Sequence, residues 1–218
     1  YVMVTKEPLK DIFSEDLKLP ESLGIYLEDL LEEWEDVRQG PQVTVGTLMS
    51  QYYSRNETLC VPVLEISDAE EKPQIGGFCV LFGLQPMGEL SLREGEQLML
   101  LQNNLKRYAF TMQNGTRFLL EQVQTEREIT AAVDEAGNHY PVLTVTVRGN
   151  STVSALSWDA DQEDQRQQGK QELADRLLTF LTTQQKEAGM DLANSFLLLA
   201  GQERSLWEQY REEPAQYL

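Results

Sequence analysis

The run from Tyr140 to Arg148 constrains the fold more than any other segment. Leu143, Val145 and Val147 alternate with Thr144, Thr146 and Arg148. A period of two fits a strand with one apolar face and one wet face. Strands of that kind belong to antiparallel sheets, because buried parallel strands are apolar on both sides. The neighbouring segments extend the pattern. Tyr108 to Met112 and Thr116 to Val133 read as strands joined by the hairpin-type pair Asn114-Gly115. Asp134 to Asn138 is the next turn, and Val153 to Trp158 can continue the sheet beyond Gly149-Asn150. Upstream, Ile75 to Phe82 reads as a buried strand, with Met87 to Leu90 as its hairpin partner across Gly83 to Pro86.

Helical spacing appears at both ends of the chain. Glu7 to Phe13 fits a short helix. Leu23, Tyr26, Leu27, Leu30, Leu31, Trp34 and Val37 share one helical face, which Gly40-Pro41 ends. Gln42 to Ser54 reads as a strand followed by a short helix. Ser91-Leu92-Arg93-Glu94 has the form of a capping box, opening a helix that runs to about Leu101. Leu173, Leu177, Phe180 and Leu181 form a stripe ended by Gly189. Asp191 can cap the following helix, with Leu192, Phe196, Leu197 and Ala200 as its stripe and Gly201 as its stop. A last short segment carries Leu206, Trp207 and Tyr210.

Strands come first, then helices, with no βαβ alternation. The expected class is therefore α+β, an antiparallel sheet packed with helices, and not a doubly wound nucleotide-binding fold. Polar residues Ser54 to Thr58 suggest a boundary. The chain then divides into 1–55, a small α/β piece that ends an N-terminal or middle domain, and 56–218, a larger α+β domain. The opening run Tyr1 to Thr5 is strand-like, lacks an initiator Met and has no obvious local partner. It reads as the start of a processed or excised form whose first strand must join a sheet.

Charge narrows the function. With 36 acidic and 18 basic residues the formal net charge is −18. Such a surface repels nucleic acid and anionic headgroups. There is no P-loop and no G-x-G-x-x-G turn, so no cofactor is implied. His139 is the sole histidine and lies in a turn, where a solvated role is the ordinary reading. With one histidine and two cysteines in apolar runs, Cys60 and Cys79, a zinc site lacks ligands. Those cysteines read as buried thiols, or as a disulfide if the protein is extracytoplasmic. Asp159 to Asp164 resembles the start of a calcium loop, but Asp164 and Lys170 occupy the glycine and glutamate positions. Acids ahead of a helix complement its dipole more simply. No catalytic, cofactor-binding or metal-binding residue is expected. Two other readings stay open: a carbohydrate or cell-wall hydrolase using two of the many carboxylates, and a generic acidic adaptor with an apolar patch drawing on Trp34, Trp158 or Trp207.

Several stretches together resemble the Ger(x)C family, the lipoprotein C subunit of bacterial spore germinant receptors. Ile75 to Phe82, with Gly77 and Phe82, is followed by Gly88, Leu90, Ser91 and Glu94. This is similar to the family's glycine, apolar strand ending in Phe, and Gly-x-Leu-Ser segment with Glu opening a helix. Leu143 to Asn150 resembles its apolar strand ending in Gly-Asn. Gly189-Met190-Asp191, Phe196 and Leu206-Trp207 resemble its closing helix and Leu-Trp end. Two positions depart from the pattern: Ser195 precedes Phe196 where the family has Gly, and Arg204-Ser205 stand where a Pro often precedes the Leu-Trp pair. The nine motif residues Gly77, Phe82, Gly88, Leu90, Ser91, Glu94, Asp191, Phe196 and Trp207 are expected to be structural. The resemblance implies a non-catalytic accessory subunit, lipid-anchored outside this chain on the outer face of the spore inner membrane. Its implied partners are the membrane-embedded A and B receptor subunits, in nutrient-triggered germination.

Overall fold

The computed structural model describes residues 1–14, 19, 21–33, 43–54, 58–67, 69–82, 84–154 and 162–212. The expected helix end at Val37 with its Gly40-Pro41 stop, together with Trp34, Trp158 and Asp159, lies outside them. The chain forms two compact units, Tyr1–Glu96 and Gln97–Leu218. The boundary expected at 55/56 falls inside the first unit.

The first unit is built on a four-stranded sheet in the order β1 (Val4–Thr5), β2 (Thr58–Ile66), β3 (Pro73–Phe82), β4 (Gln85–Ser91). β2, β3 and β4 pair antiparallel. The opening strand finds its partner within the chain: β1 lies parallel to β2, with Val4 beside Val63. Between them run α1 (Leu9–Ile12), α2 (Leu23–Glu33) and α3 (Val45–Ser54). This crossover leaves no signal in the sequence, because a two-residue strand has no periodicity. Among the described residues, no strand leads directly into α3, where one was expected from Gln42 onward.

Register assigns each side chain a face. Leu59, Val61, Val63 and Leu81 share one face, where Val2, Val4, Val43 and Leu48 of α3 join the cluster of Leu59 and Val61. Phe78, Val80 and Leu90 point the other way, and all three are buried. There Gly95 of α4 (Leu92–Leu101) lies so close to Phe78 that an added Cβ would stand 2.0 Å from the ring. The first seven residues of β2 are buried, which is why this strand is continuously apolar rather than alternating. The same register separates the cysteines. Cys60 faces Val80 and Val61 faces Cys79, so the two thiols project from opposite faces and are free. Burial pushes the Cys60 thiol up to about 12.

The second unit holds an antiparallel sheet in the order β5 (Arg107–Thr111), β6 (Arg117–Val133), β7 (His139–Ser154). β7 runs unbroken through Gly149-Asn150, where a break was expected. Asp134 ties the β6–β7 turn by accepting hydrogen bonds from the backbone N–H of Ala136 at 2.9 Å and Asn138 at 2.8 Å. The Asn138 side chain and backbone bonds to that carboxylate hold its pKa down.

Three helices cover one face of this sheet. α5 (Gln162–Thr182) buries Leu173, Leu177, Phe180 and Leu181, and runs into a π-helical turn, Thr183–Glu187. Gly189 at φ 65° then reverses the chain. α6 (Ser195–Gln202) and α7 (Arg204–Tyr210) follow, with Leu199 and Leu206 packed on Ile129 of β6. The expected α6 stripe is out of phase. Leu197 is 39% exposed, whereas Ser195 and Leu199 point inward. The helix starts four residues after its capping Asp191, which shifts the buried face. It also continues past Gly201, the expected stop.

Candidate functional site

The motif residues gather into two clusters, one in each unit. In the first, Gly77 lies opposite Ser91, and Phe78 opposite Leu90. A Cβ on Gly77 would stand 2.5 Å from the Leu90 carbonyl oxygen, so the close approach of β3 and β4 requires glycine. Gly88 pairs with Val80. Ser91 and Glu94 satisfy each other as helix α4 begins. The Ser91 backbone N–H donates to Glu94 Oε2 at 2.8 Å, and the Glu94 N–H donates to Ser91 Oγ at 3.3 Å. Phe82 stands apart. It was expected in the core, yet it is the last residue of β3 and 41% exposed.

In the second cluster, the Asp191 carboxylate accepts hydrogen bonds from the N–H groups of Ser195 and Phe196, each at 2.8 Å. The Ser195 hydroxyl donates to Asp191 Oδ1 at 2.7 Å, so serine in place of the family's glycine brings its own partner. Phe196 and Trp207 are half-buried against the Ile129, Leu199 and Leu206 cluster. Sequence reasoning missed Arg127, which donates to the Ala193 carbonyl at 2.6 Å. Its burial lowers its pKa, partly offset by Asp191. The signal was available: Arg127 stands between Thr125 and Ile129, both inward-facing positions of β6.

Two concave surfaces accompany these clusters. On the first sheet a shallow recess of about 160 Å³ lies over Gly76 and Gly77, rimmed by Lys6, Glu65 and Glu89. Lys6 pairs with Glu89, and both side chains are more than half exposed. On the second unit an apolar groove of about 530 Å³ runs between β7 and α5. Phe118, Leu143, Val145 and Val147 line one side, and Leu177 and Leu178 the other. A third feature is convex. Val45, Met49, Tyr52 and Tyr53 of α3 are exposed at positions one to two turns apart, with Tyr53 75% accessible.

His139 opens β7 at an exposed position. Among the described residues no group of three or more His, Cys, Asp or Glu side chains could hold a metal ion. Glu21 is pushed up by partial loss of hydration and by Asp29, but both carboxylates lie on open surface. Glu163, in the first turn of α5, is held down by hydrogen bonds from Gln167 and Arg166. No helix among the described residues is long and apolar enough to cross a membrane.

Comparison with known proteins bears on both units. Residues 1–66 match the family described as spore germination protein N-terminal domain. The whole chain superposes on the crystal structure of the GerBC protein with a TM-score of 0.68 and 13% identity. It covers 63% of that protein's length. At this identity the likeness speaks for the fold. No curated protein sequence matches the chain. The match over residues 1–66 and the shared α+β fold agree with the Ger(x)C resemblance, whose nine motif residues all lie beyond residue 66.

Proposed function

We propose, for a chain whose first 66 residues match the spore germination protein N-terminal domain family, that it is the C subunit of a germinant receptor and works through protein contacts rather than catalysis. The observation that carries this reading is the exposed apolar face of α3, inside the family-matched segment. Val45, Met49, Tyr52 and Tyr53 stand out from an otherwise strongly acidic chain. Aromatic and methionine side chains of this kind are enriched where proteins dock. The full-length protein would be lipid-anchored on the outer face of the spore inner membrane, with the A and B subunits as its partners.

The test is affinity capture of the tagged full-length protein from spore inner membranes. Polytopic receptor subunits should be recovered with the wild type and lost with a Met49→Ser/Tyr53→Ser variant. These exposed changes should leave the circular dichroism spectrum unaltered. Abundant, folded wild-type protein captured without any polytopic subunit would defeat the assignment. Capture unaffected by the double change would remove α3 as the contact.

A further inference from the structure

The outer edge of β7 has the properties of a strand waiting for a partner. An edge strand exposes a row of unpaired backbone N–H and C=O groups, and proteins shield such edges with charge, proline, shortness or cover. β5, the opposite edge of the same sheet, is shielded. It is five residues long, carries Arg107, and its Thr111 carbonyl accepts a hydrogen bond from Arg176 of α5 at 2.8 Å. β7 has 16 residues, no carboxylate and one charged side chain, Arg148. No strand among the described residues pairs with its outer side. The apolar groove adjoins this strand, and Leu178 on its α5 wall is 65% exposed.

We infer that β7 pairs antiparallel with β7 of a second copy, about a two-fold axis at Thr146. The sequence is self-complementary in that register. Pro141 lacks an N–H and limits the ladder at one end, and at the other Gly149-Asn150 lies opposite the bulge of β6. Taken from Leu143, two residues beyond Pro141, up to and including Gly149, the ladder is centred on Thr146. In an isologous pair Leu143 then lies opposite Gly149 of the second copy, and Val145 opposite Val147. These residues face the groove in each copy, so the two grooves join. On the wet face Thr146 meets its own counterpart and Arg148 meets Thr144. Thr144 stands beside Glu128 in the β6–β7 register, so each Arg148 falls in the same cross-strand row as Glu128 of the other copy. No like charges are opposed directly, which matters for a chain of net charge −18. A seven-residue ladder is a small interface, so the dimer should be weak. The inference is independent of the receptor assignment.

Sedimentation of the 218-residue chain, taken up to roughly hundreds of micromolar, tests it. The wild type should move toward the mass of a dimer as concentration rises. Thr146→Lys and Thr146→Glu each place like charges across the axis, at a half-buried site on the polar face of the sheet. Each should weaken self-association roughly tenfold or more. An equimolar mixture of the two variants should recover it, because lysine then meets glutamate. A wild type that stays monomeric throughout overturns the inference. So does a dimer that ignores both substitutions, or a mixture that fails to recover.

Discussion

The sheet of β1 to β4 and the sheet of β5 to β7 are each built around an antiparallel hairpin, yet they differ in how they meet solvent. The first is covered on both faces. α3 lies over Leu59 and Val61, and α4 lies over Phe78 through Gly95. Its edges are a two-residue strand and a seven-residue strand interrupted by Pro86 and a bulge opposite Val80/Leu81. The second, among the described residues, is covered on one face. Its other face carries Glu126, Glu128, Thr144 and the half-buried Thr146, and no strand among the described residues pairs with its long edge. A sheet closed on both sides ties its stability to packing. A sheet with a wet face and a bare edge keeps backbone groups in reserve for association.

Substitutions separate the two most directly at apolar positions. Phe78→Ala removes a fully buried ring from between β4 and α4 and should cost about 3–5 kcal/mol in urea denaturation. Val145→Ala, at the half-open groove, should cost under about 1 kcal/mol. Comparable losses would mean that the groove is filled and the two sheets are alike.

A smaller effect depends on pH. Burial pushes the Cys60 thiol up to about 12 in the folded chain, from an ordinary value of 9.0. The folded state favours the protonated form, so this contribution is complete below the unfolded pKa and is lost as pH rises toward 12. Between pH 8 and pH 10 the wild type should lose about 1–2 kcal/mol more than Cys60→Val does. Equal losses would show that water reaches the thiol. Smaller again, Asp191→Ala removes the cap of α6 and should cost about 1 kcal/mol, with the loss seen as fraying of α6 in amide exchange.

Much of this contrast was legible in the sequence, and the failures have physical reasons. The capping box at Ser91 and the stripe from Leu173 to Leu181 depend only on local spacing, and both form as expected. β6 alternated only in part because a bulge intervenes. Gln122 takes φ 53°, Phe118 and Leu120 point inward before it, and Val123, Thr125 and Ile129 point inward after it. A single inserted step reverses the parity, which a fixed period cannot follow. The β1–β2 pairing was hidden because its partners are nearly 60 residues apart in the chain (Val4 and Val63) and the first strand is too short to alternate. Arg127 is hard to find because a charged residue at an inward position interrupts the alternation, and the carbonyl it binds, that of Ala193, is 66 residues away in the chain.

Amide hydrogen exchange measured at low and high protein concentration tests the contrast between the sheets most directly. The account predicts that β3 amides exchange slowly at both concentrations. About half of the amides from Leu143 to Gly149, those pointing away from β6, should exchange quickly in dilute solution and slow as concentration rises. If the whole of β7 is as protected as β3 in the most dilute sample, its edge is already covered and the central distinction fails.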